Sequence, residues 1–230
     1  ALPRDAPFLF LDSDTLVLAP LDRVDPARPT ASARVRDTWP RTPPYGPDRA
    51  AIWGSLFARE EIDMAPVLDL CHGPGDWRRY LYLNAGWVAG PCGASFGRDW
   101  GGIAARILAD PPPELAAQRL MPWLDQIALP LALARAGGGR PLAPLDGSEI
   151  WHYRTLPLLY ATAPDAVVAT LERLVAPNRI KRLLKAHRPF HRAIWRGEGR
   201  RARALFDRDR LPASEAVIRN RLRQPGLWGR

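Results

Sequence analysis

The stretch Phe8-Leu9-Phe10-Leu11-Asp12-Ser13-Asp14-Thr15-Leu16-Val17-Leu18 decides how the rest of the chain is interpreted. Its first four residues are apolar and show no polar alternation, which predicts a short strand buried on both faces. Asp12 and Asp14 then stand at the carboxyl end of that strand, the edge at which open α/β sheets bind ligands. Two carboxylates at i and i+2 suit one divalent cation, Mg²⁺ or Mn²⁺. The alternative interpretation is a strand that ends in an Asx turn.

The composition indicates a globular chain. Of its 230 residues 47% are hydrophobic, which is enough for a core in one large domain or in one and a half typical ones. Neither an apolar run of about 18 residues nor a signal peptide occurs, so no segment is expected to span or cross a membrane. Cys71 and Cys92 are too few for a disulfide framework and indicate a reducing compartment. A zinc cluster with His72 is disfavoured because no CxxC spacing accompanies these residues.

The positive charge is concentrated at the C-terminal end. Residues 179–230 contain sixteen Lys and Arg against four Asp and Glu, a net charge of +12, whereas the whole chain carries +9. The other residues therefore sum to −3, and the body of the protein need not bind polyanions.

Helical and loop patterns follow the motif strand. The Pro- and Arg-rich residues 19–47 predict a loop, and residues 49–70 resume helical spacing up to a break at Gly73-Pro74-Gly75. A further helix is predicted from Asp99 to Ala109, with Trp100 among its apolar positions.

Residues Tyr80–Gly90 form the second informative stretch. They are aromatic and aliphatic on both sides of Asn84 and Gly86, which predicts a strand interrupted where the backbone approaches something closely. An Asn inside an apolar strand needs hydrogen-bond partners, and either a ligand or the neighbouring backbone supplies them.

Two later segments carry polar groups for which a structural role is the alternative. Asp125 and Gln126 open a helix that runs to the turn at Gly137, and an acid at this position also suits the helix dipole. A short strand is predicted over Pro141–Leu145. His152 follows between aromatic residues, either as a buried core histidine or as the third ligand that the two carboxylates need.

From Pro164 onward the spacing is helical throughout. One helix opens at Pro164-Asp165 and another at Pro177-Asn178, and the second combines an apolar face with many basic residues. A basic amphipathic helix followed by Trp195 predicts contact with an anionic membrane surface, and a solvated basic face is the alternative. These features predict a cytoplasmic protein that is peripheral at the inner face of a membrane.

In combination, the motifs resemble those of the GT-A glycosyltransferases. They are closest to the retaining family that includes glycogenin and the bacterial lipopolysaccharide galactosyl- and glucosyltransferases. The matching motifs are, in chain order, Asp12-Ser13-Asp14, Asn84-Ala85-Gly86, Asp125-Gln126 and His152. The resemblance covers roughly residues 8–155 and implies an α/β fold with a mixed, mostly parallel sheet flanked by helices. Residues 1–160 would form the C-terminal part of this domain, and residues 161–230 a helical basic extension.

The resemblance implies a role for each matching residue. Asp12, Asp14 and His152 would hold Mn²⁺ or Mg²⁺, Asp125 and Asn84 would bind the hydroxyls of the donor sugar, and Gln126 would face the anomeric carbon. The implied binding set for the donor is Asp12, Asp14, Asn84, Ala85, Gly86 and Arg154. The Lys that usually holds the diphosphate in this family is absent, and Arg154 is the nearest cationic substitute. The family's base pocket precedes the motif strand, so the sequence, which begins at Ala1, is expected to be a fragment.

The function implied is metal-dependent transfer of a sugar from a nucleotide-diphosphate sugar, with a UDP-sugar favoured, to a glycan or lipid-linked acceptor. A cation held by the two aspartates stabilises negative charge on the leaving diphosphate. In a retaining reaction, which the resemblance favours, Gln126 would support positive charge at the anomeric carbon. If the enzyme inverts, Asp125 is the candidate base.

Two other classes of protein remain open. A sugar-nucleotide nucleotidyltransferase also uses a metal at a sheet edge, and it would consume a nucleoside triphosphate. A nucleic-acid-binding protein would explain the Arg-rich tail through phosphate contacts. It leaves Asp12, Asp14 and Asn84 unexplained, so nucleic acid is the less favoured partner.

Overall fold

The chain crosses between two structural units within the motif itself. A computed structural model describes residues 6–31, 39–139 and 149–228. The first unit comprises residues 1–12 and 21–146, and the second comprises residues 13–20 and 147–230. Each unit has its own core of buried apolar side chains.

The described elements alternate short strands with helices before becoming wholly helical. The strands are β1 (Phe8–Leu11), β2 (Thr15–Val17), β3 (Thr30–Ala31), β4 (Trp87–Gly90) and β5 (Ile150–His152). The first helices are α1 (Arg49–Arg59), α2 (Gly93–Ala109), α3 (Leu124–Arg135), α4 (Leu156–Thr162) and α5 (Asp165–Val175). They are followed by α6 (Asn178–Lys185), α7 (Arg188–Phe190) with a π-helical continuation (His191–Trp195), α8 (Glu198–Ala204) and α9 (Glu215–Arg223).

The sheet of the first unit is small and antiparallel, in the order β1-β4-β3. The mixture of helices and strands confirms the predicted α/β class. The described strands pair antiparallel, however, and not in the mostly parallel arrangement that was expected. Burial of β1 on both faces is also wrong, because Leu9 is 37% and Phe10 44% exposed. Burial on both faces is typical of a central strand with layers on both sides, whereas β1 lies at the edge of the sheet that the described strands form.

β1 and β4 approach each other closely where Phe8 is opposite Gly90. A Cβ atom at Gly90 would lie 2.8 Å from the Phe8 ring, so the ring occupies space that only glycine leaves free. β4 is also shorter than the predicted strand over Tyr80–Gly90, because a turn at Ala85-Gly86 precedes it. The strand predicted over Pro141–Leu145 lies outside the described residues.

Local hydrogen bonds and apolar spacing explain where α1 begins and why α3 is buried. Asp48 caps α1 by accepting a hydrogen bond from the backbone N–H of Ala51 at 2.8 Å. The helical spacing predicted over residues 49–70 is realised only to Arg59, and a 3-10 turn follows at Ala65–Val67. α3 is buried along Ile127–Leu133, consistent with a helix that is apolar nearly all round, and it packs along α2.

An ion-pair group centred on the buried Glu60 joins α1, α2 and α3. Glu60, directly after α1, contacts Arg106 of α2 at 2.6 Å and Arg135 of α3 at 3.0 Å. Burial alone would raise the pKa of Glu60, but the hydrogen bonds and charges of the two arginines outweigh it and lower that pKa. The group is therefore ionised at neutral pH and ties α1, α2 and α3 together.

The second unit is a two-stranded ladder, β2 against β5, with helices α4 to α9. The helices predicted from Pro164-Asp165 and Pro177-Asn178 are confirmed as α5 and α6. α8 packs closely on α4, since a Cβ atom at Gly199 would lie 2.5 Å from the Tyr160 ring. Among the described residues, no helix is long and apolar enough to span a membrane.

The basic tail contributes to the core of this unit. Phe206, Ile218 and Leu222 are buried in one apolar cluster that also contains Leu16 and Leu159. The boundary predicted after residue 160 falls within α4. The apolar sides of α8 and α9 therefore face the core. Most arginines and lysines of the tail lie at the surface, but Arg203 and Arg208 are partly buried and donate to backbone carbonyl oxygens.

Candidate functional site

Within the first unit, the end of β1 lies beside the Asn84-Ala85-Gly86 motif. The backbone N–H of Asp12 donates a hydrogen bond to the carbonyl oxygen of Gly86 at 2.9 Å, which continues the β1–β4 ladder by one residue. Ala85 and Gly86 are buried, and Asn84 is half-buried. The structure thus brings two of the predicted motifs together, although Asn84 stands before a turn and not in a strand.

Asp125 lies near Asp12 in the same unit. It occupies the first turn of α3, as predicted, and Gln126 beside it is half-buried. Asp125 is exposed as a residue, yet the protein that surrounds its carboxyl group displaces enough water to raise its pKa, and the negative charge of Asp12 adds to this increase. Hydrogen bonds from the backbone N–H groups of Gln126 and of Asp125 itself act in the opposite direction. The charge of Asp12 therefore acts on Asp125, and a role for Asp125 beyond the helix dipole stays a prediction.

Trp100 is also a neighbour of Asp125. Its spacing predicted it only as one of the apolar residues of a helix. Its Nε1 donates a hydrogen bond to the carbonyl oxygen of Asp125 at 2.8 Å. Its ring meets the Phe10 ring edge-on, with 6.3 Å between centroids. The sequence signal that was missed is Gly97 and Gly101, which flank Trp100 on α2 and leave one side of the helix bare.

Within the second unit, Asp14 and His152 are in direct contact. His152 Nε2 lies 2.7 Å from Asp14 Oδ1. The β2–β5 register explains this contact, since Thr15 pairs with His152 and the backbone N–H of Tyr153 donates to the carbonyl oxygen of Asp14 at 2.9 Å. His152 is therefore placed at the motif and not only among core aromatics.

Arg154 also belongs to the second unit, where it has an acidic partner. Its Nη1 lies 2.8 Å from Glu215 Oε2 of α9, and both side chains are partly exposed. An exposed pair of this kind contributes about 0–1 kcal/mol, so a diphosphate could replace Glu215 as the partner. A role for Arg154 on a diphosphate stays a prediction.

The donor set fits a divalent cation. Asp12, Asp14 and His152 each offer one ligand atom, and two carboxylates with one imidazole suit Mn²⁺ and Mg²⁺ better than a soft metal. Only Ser13 separates the two aspartates. The covalent chain therefore limits the distance between the two carboxylates, and a cation shared by both stays a prediction.

A comparison with known families agrees with this chemistry. The model of the Rhodobacterales glycosyltransferase domain matches residues 1–137, which is more than half of the chain. The matched range includes Asp12, Asp14, Asn84 and Asp125, whereas His152 and Arg154 follow it. Searches of curated proteins and of solved structures found no match. The chain thus belongs to the Rhodobacterales glycosyltransferase domain family, and it is a glycosyltransferase.

Proposed function

We propose that this glycosyltransferase takes its sugar from a nucleotide-diphosphate sugar, with a UDP-sugar favoured, and uses Mn²⁺ or Mg²⁺ held by Asp12, Asp14 and His152. The observation that carries the proposal is the 2.7 Å contact between His152 Nε2 and Asp14 Oδ1. It joins two residues far apart in sequence, and both are of ligand type. When bound, the cation supplies positive charge to the leaving diphosphate.

The first unit would bind the sugar part of the donor. The Asp125 carboxylate would accept hydrogen bonds from its hydroxyls, and the Asn84 amide, next to the buried Ala85-Gly86 backbone, would both donate and accept them. Gln126 adjoins Asp125, and its neutral amide would lie at the anomeric carbon. The resemblance to GT-A enzymes of the glycogenin and lipopolysaccharide group supports a retaining reaction and a glycan or lipid-linked acceptor.

Calorimetric titration of the chain with UDP tests this proposal. We expect UDP binding in the presence of Mn²⁺ and at least about tenfold weaker binding after chelation, because the diphosphate oxygens need the cation as a partner. The matched control is uridine, which lacks the diphosphate and should respond little to Mn²⁺. UDP binding that is unaffected by chelation would contradict the metal site. Release of pyrophosphate from UTP and a sugar phosphate would favour a nucleotidyltransferase instead.

We also propose that the second unit binds an anionic lipid surface through α6 and the residues that follow it. No residue of α6 is fully buried, and Leu183 is 60% exposed between basic neighbours. Arg179, Arg182 and Lys185 are exposed on the same short helix. An apolar side chain among cations is the pattern that suits an anionic bilayer, with the leucine inserted among the acyl chains.

Co-sedimentation with vesicles tests the lipid surface. Replacement of Arg179, Arg182 and Lys185 by Gln should weaken binding to phosphatidylglycerol-containing vesicles about 100-fold, at about 1 kcal/mol per basic residue. The control removes the same charge from the first unit by replacing three exposed arginines, Arg28, Arg98 and Arg119. Equal losses for the two triple variants would mean that only net charge matters. Tight binding of single-stranded RNA without vesicle binding would support the nucleic-acid alternative.

A further inference from the structure

A cleft of about 500 Å³ opens in the first unit between α2 and the residues that lead into α3. Its walls are apolar, with Trp100, Ala104 and Leu124 among them, and the exposed Met121 lies at the rim. Asp125 is the only ionisable side chain among the described residues that line it. The volume falls within the usual range for a small-molecule site.

Two glycines form the bare side of the cleft. Gly97 and Gly101 are one helical turn apart on α2, and a Cβ atom added at either would have no other atom within 4 Å. Within the part of the chain that the structure describes, no packing therefore requires glycine at these positions. What glycine does provide is an open surface of backbone against which a ligand chain can lie.

The polar end of the cleft is Asp125. Trp100 lines the cleft beside it, donates a hydrogen bond to the Asp125 carbonyl oxygen and contacts the Phe10 ring of β1, the strand that Asp12 directly follows. A molecule in the cleft would thus have one end at the carboxylate of Asp125. Its other end would lie along α2, away from any charged side chain that lines the cleft.

We propose that this cleft binds the acceptor, and that the acceptor is a neutral amphiphile with an apolar chain along Gly97 and Gly101 and a hydroxyl group at one carboxylate oxygen of Asp125, with the other oxygen left for the donor sugar. The inference rests on the proposed function, because it names the substrate class of the same site. The negative charge of Asp125 favours a neutral headgroup that carries hydroxyls, since a carboxylate accepts hydrogen bonds from hydroxyls and repels anions. Apolar walls and a flexible Met at the rim suit an aliphatic chain.

Titration with octyl β-glucoside below its micelle concentration, followed by saturation-transfer NMR, tests the cleft. The measurement is made without nucleotide or metal, so a failure of the donor site cannot produce a failure here. We expect binding of octyl glucoside, at least about tenfold weaker binding of octyl sulfate, and no measurable binding of glucose.

Substitution at Gly101 locates the binding. Gly101→Ala should reduce octyl glucoside binding slightly and Gly101→Leu at least about tenfold, because the larger side chain fills the cleft. Both variants should fold, since the added atoms meet open space and glycine is the weaker helix former. The control is Gly54→Leu, a mid-helix position on α1 that is equally open. Equal binding by wild type and Gly101→Leu, or preference for octyl sulfate, would overturn the proposal.

Discussion

Replacement of Asp14 by Asn is expected to lower sugar transfer about 10²–10³-fold, since a catalytic cation contributes several kcal/mol and each 1.36 kcal/mol is tenfold in rate. The amide is nearly the same size as the carboxylate, but it is neutral and is a poorer ligand for a hard cation. It also loses the charge that faces His152 Nε2 at 2.7 Å. The measurements are transfer of a labelled sugar from UDP-sugar and Mn²⁺ binding followed by electron paramagnetic resonance.

The control for this variant is Asp22→Asn. Asp22 is exposed in the loop after the motif, so its replacement makes the same chemical change without touching the donor set. Chelation of the wild type should reproduce the loss caused by Asp14→Asn, and the two treatments together should have no larger effect than either alone. A variant that binds Mn²⁺ normally and transfers sugar at the wild-type rate would disprove the assignment of Asp14 as a ligand.

Replacement of Asp125 by Asn is expected to have two effects of opposite sign. Sugar transfer should fall about 10²–10⁴-fold if the carboxylate handles a proton or a hydroxyl in the transition state. The free energy of unfolding at neutral pH should rise, because an ionised carboxylate that is partly desolvated is costly and the amide is not. A gain in stability with a loss of activity is typical of a functional site.

The pH dependence of stability separates these effects. Loss of surrounding water raises the pKa of Asp125 in the folded protein, so between the unfolded and the folded pKa the folded state holds more protons. The contribution of Asp125 to stability therefore falls as pH rises through that window. The advantage of Asp125→Asn should be present at neutral pH and disappear below about pH 3.9. Melting temperatures measured across this range check it.

The control for the second variant is Asp110→Asn. The carboxylate of Asp110 is largely exposed in its pair with Arg59, so its removal should change neither activity nor stability much. If Asp125→Asn behaves like this control in both measurements, Asp125 is only an acid in the first turn of a helix. Activity equal to the wild type combined with higher stability would remove it from the site.

Much of the helical structure was predictable because it depends on local spacing. Two helices, α5 and α6, begin directly after a proline, and α3 has an acid in its first turn. In each case a periodic apolar pattern follows. The helix over residues 49–70 was predicted too long because apolar periodicity continues past Arg59, whereas the chain turns at Glu61 with φ of +54°. Such a reversal leaves no periodic signal in the sequence.

One part of the candidate site could likewise be predicted from local sequence, and another part could not. Asp12 and Asp14 are recognisable as a pair because they directly follow an apolar run, and their separation is covalent. A place for His152 beside the carboxylates could be predicted only as one of two alternatives and through the family resemblance, because its contact with Asp14 depends on the pairing of β2 with β5. Trp100 and the bare side of α2 become meaningful only once α3 is packed beside them.

Local sequence was enough to predict the α/β class, the carboxylates that follow β1, and the concentration of positive charge in the C-terminal helices. These features depend on residue type and on spacing of a few positions. The tertiary structure alone decided that the described strands pair antiparallel, that His152 reaches Asp14, and that a cleft opens next to Asp125. These features depend on contacts between residues far apart in the chain, and the free energy of such contacts is not encoded in any short stretch.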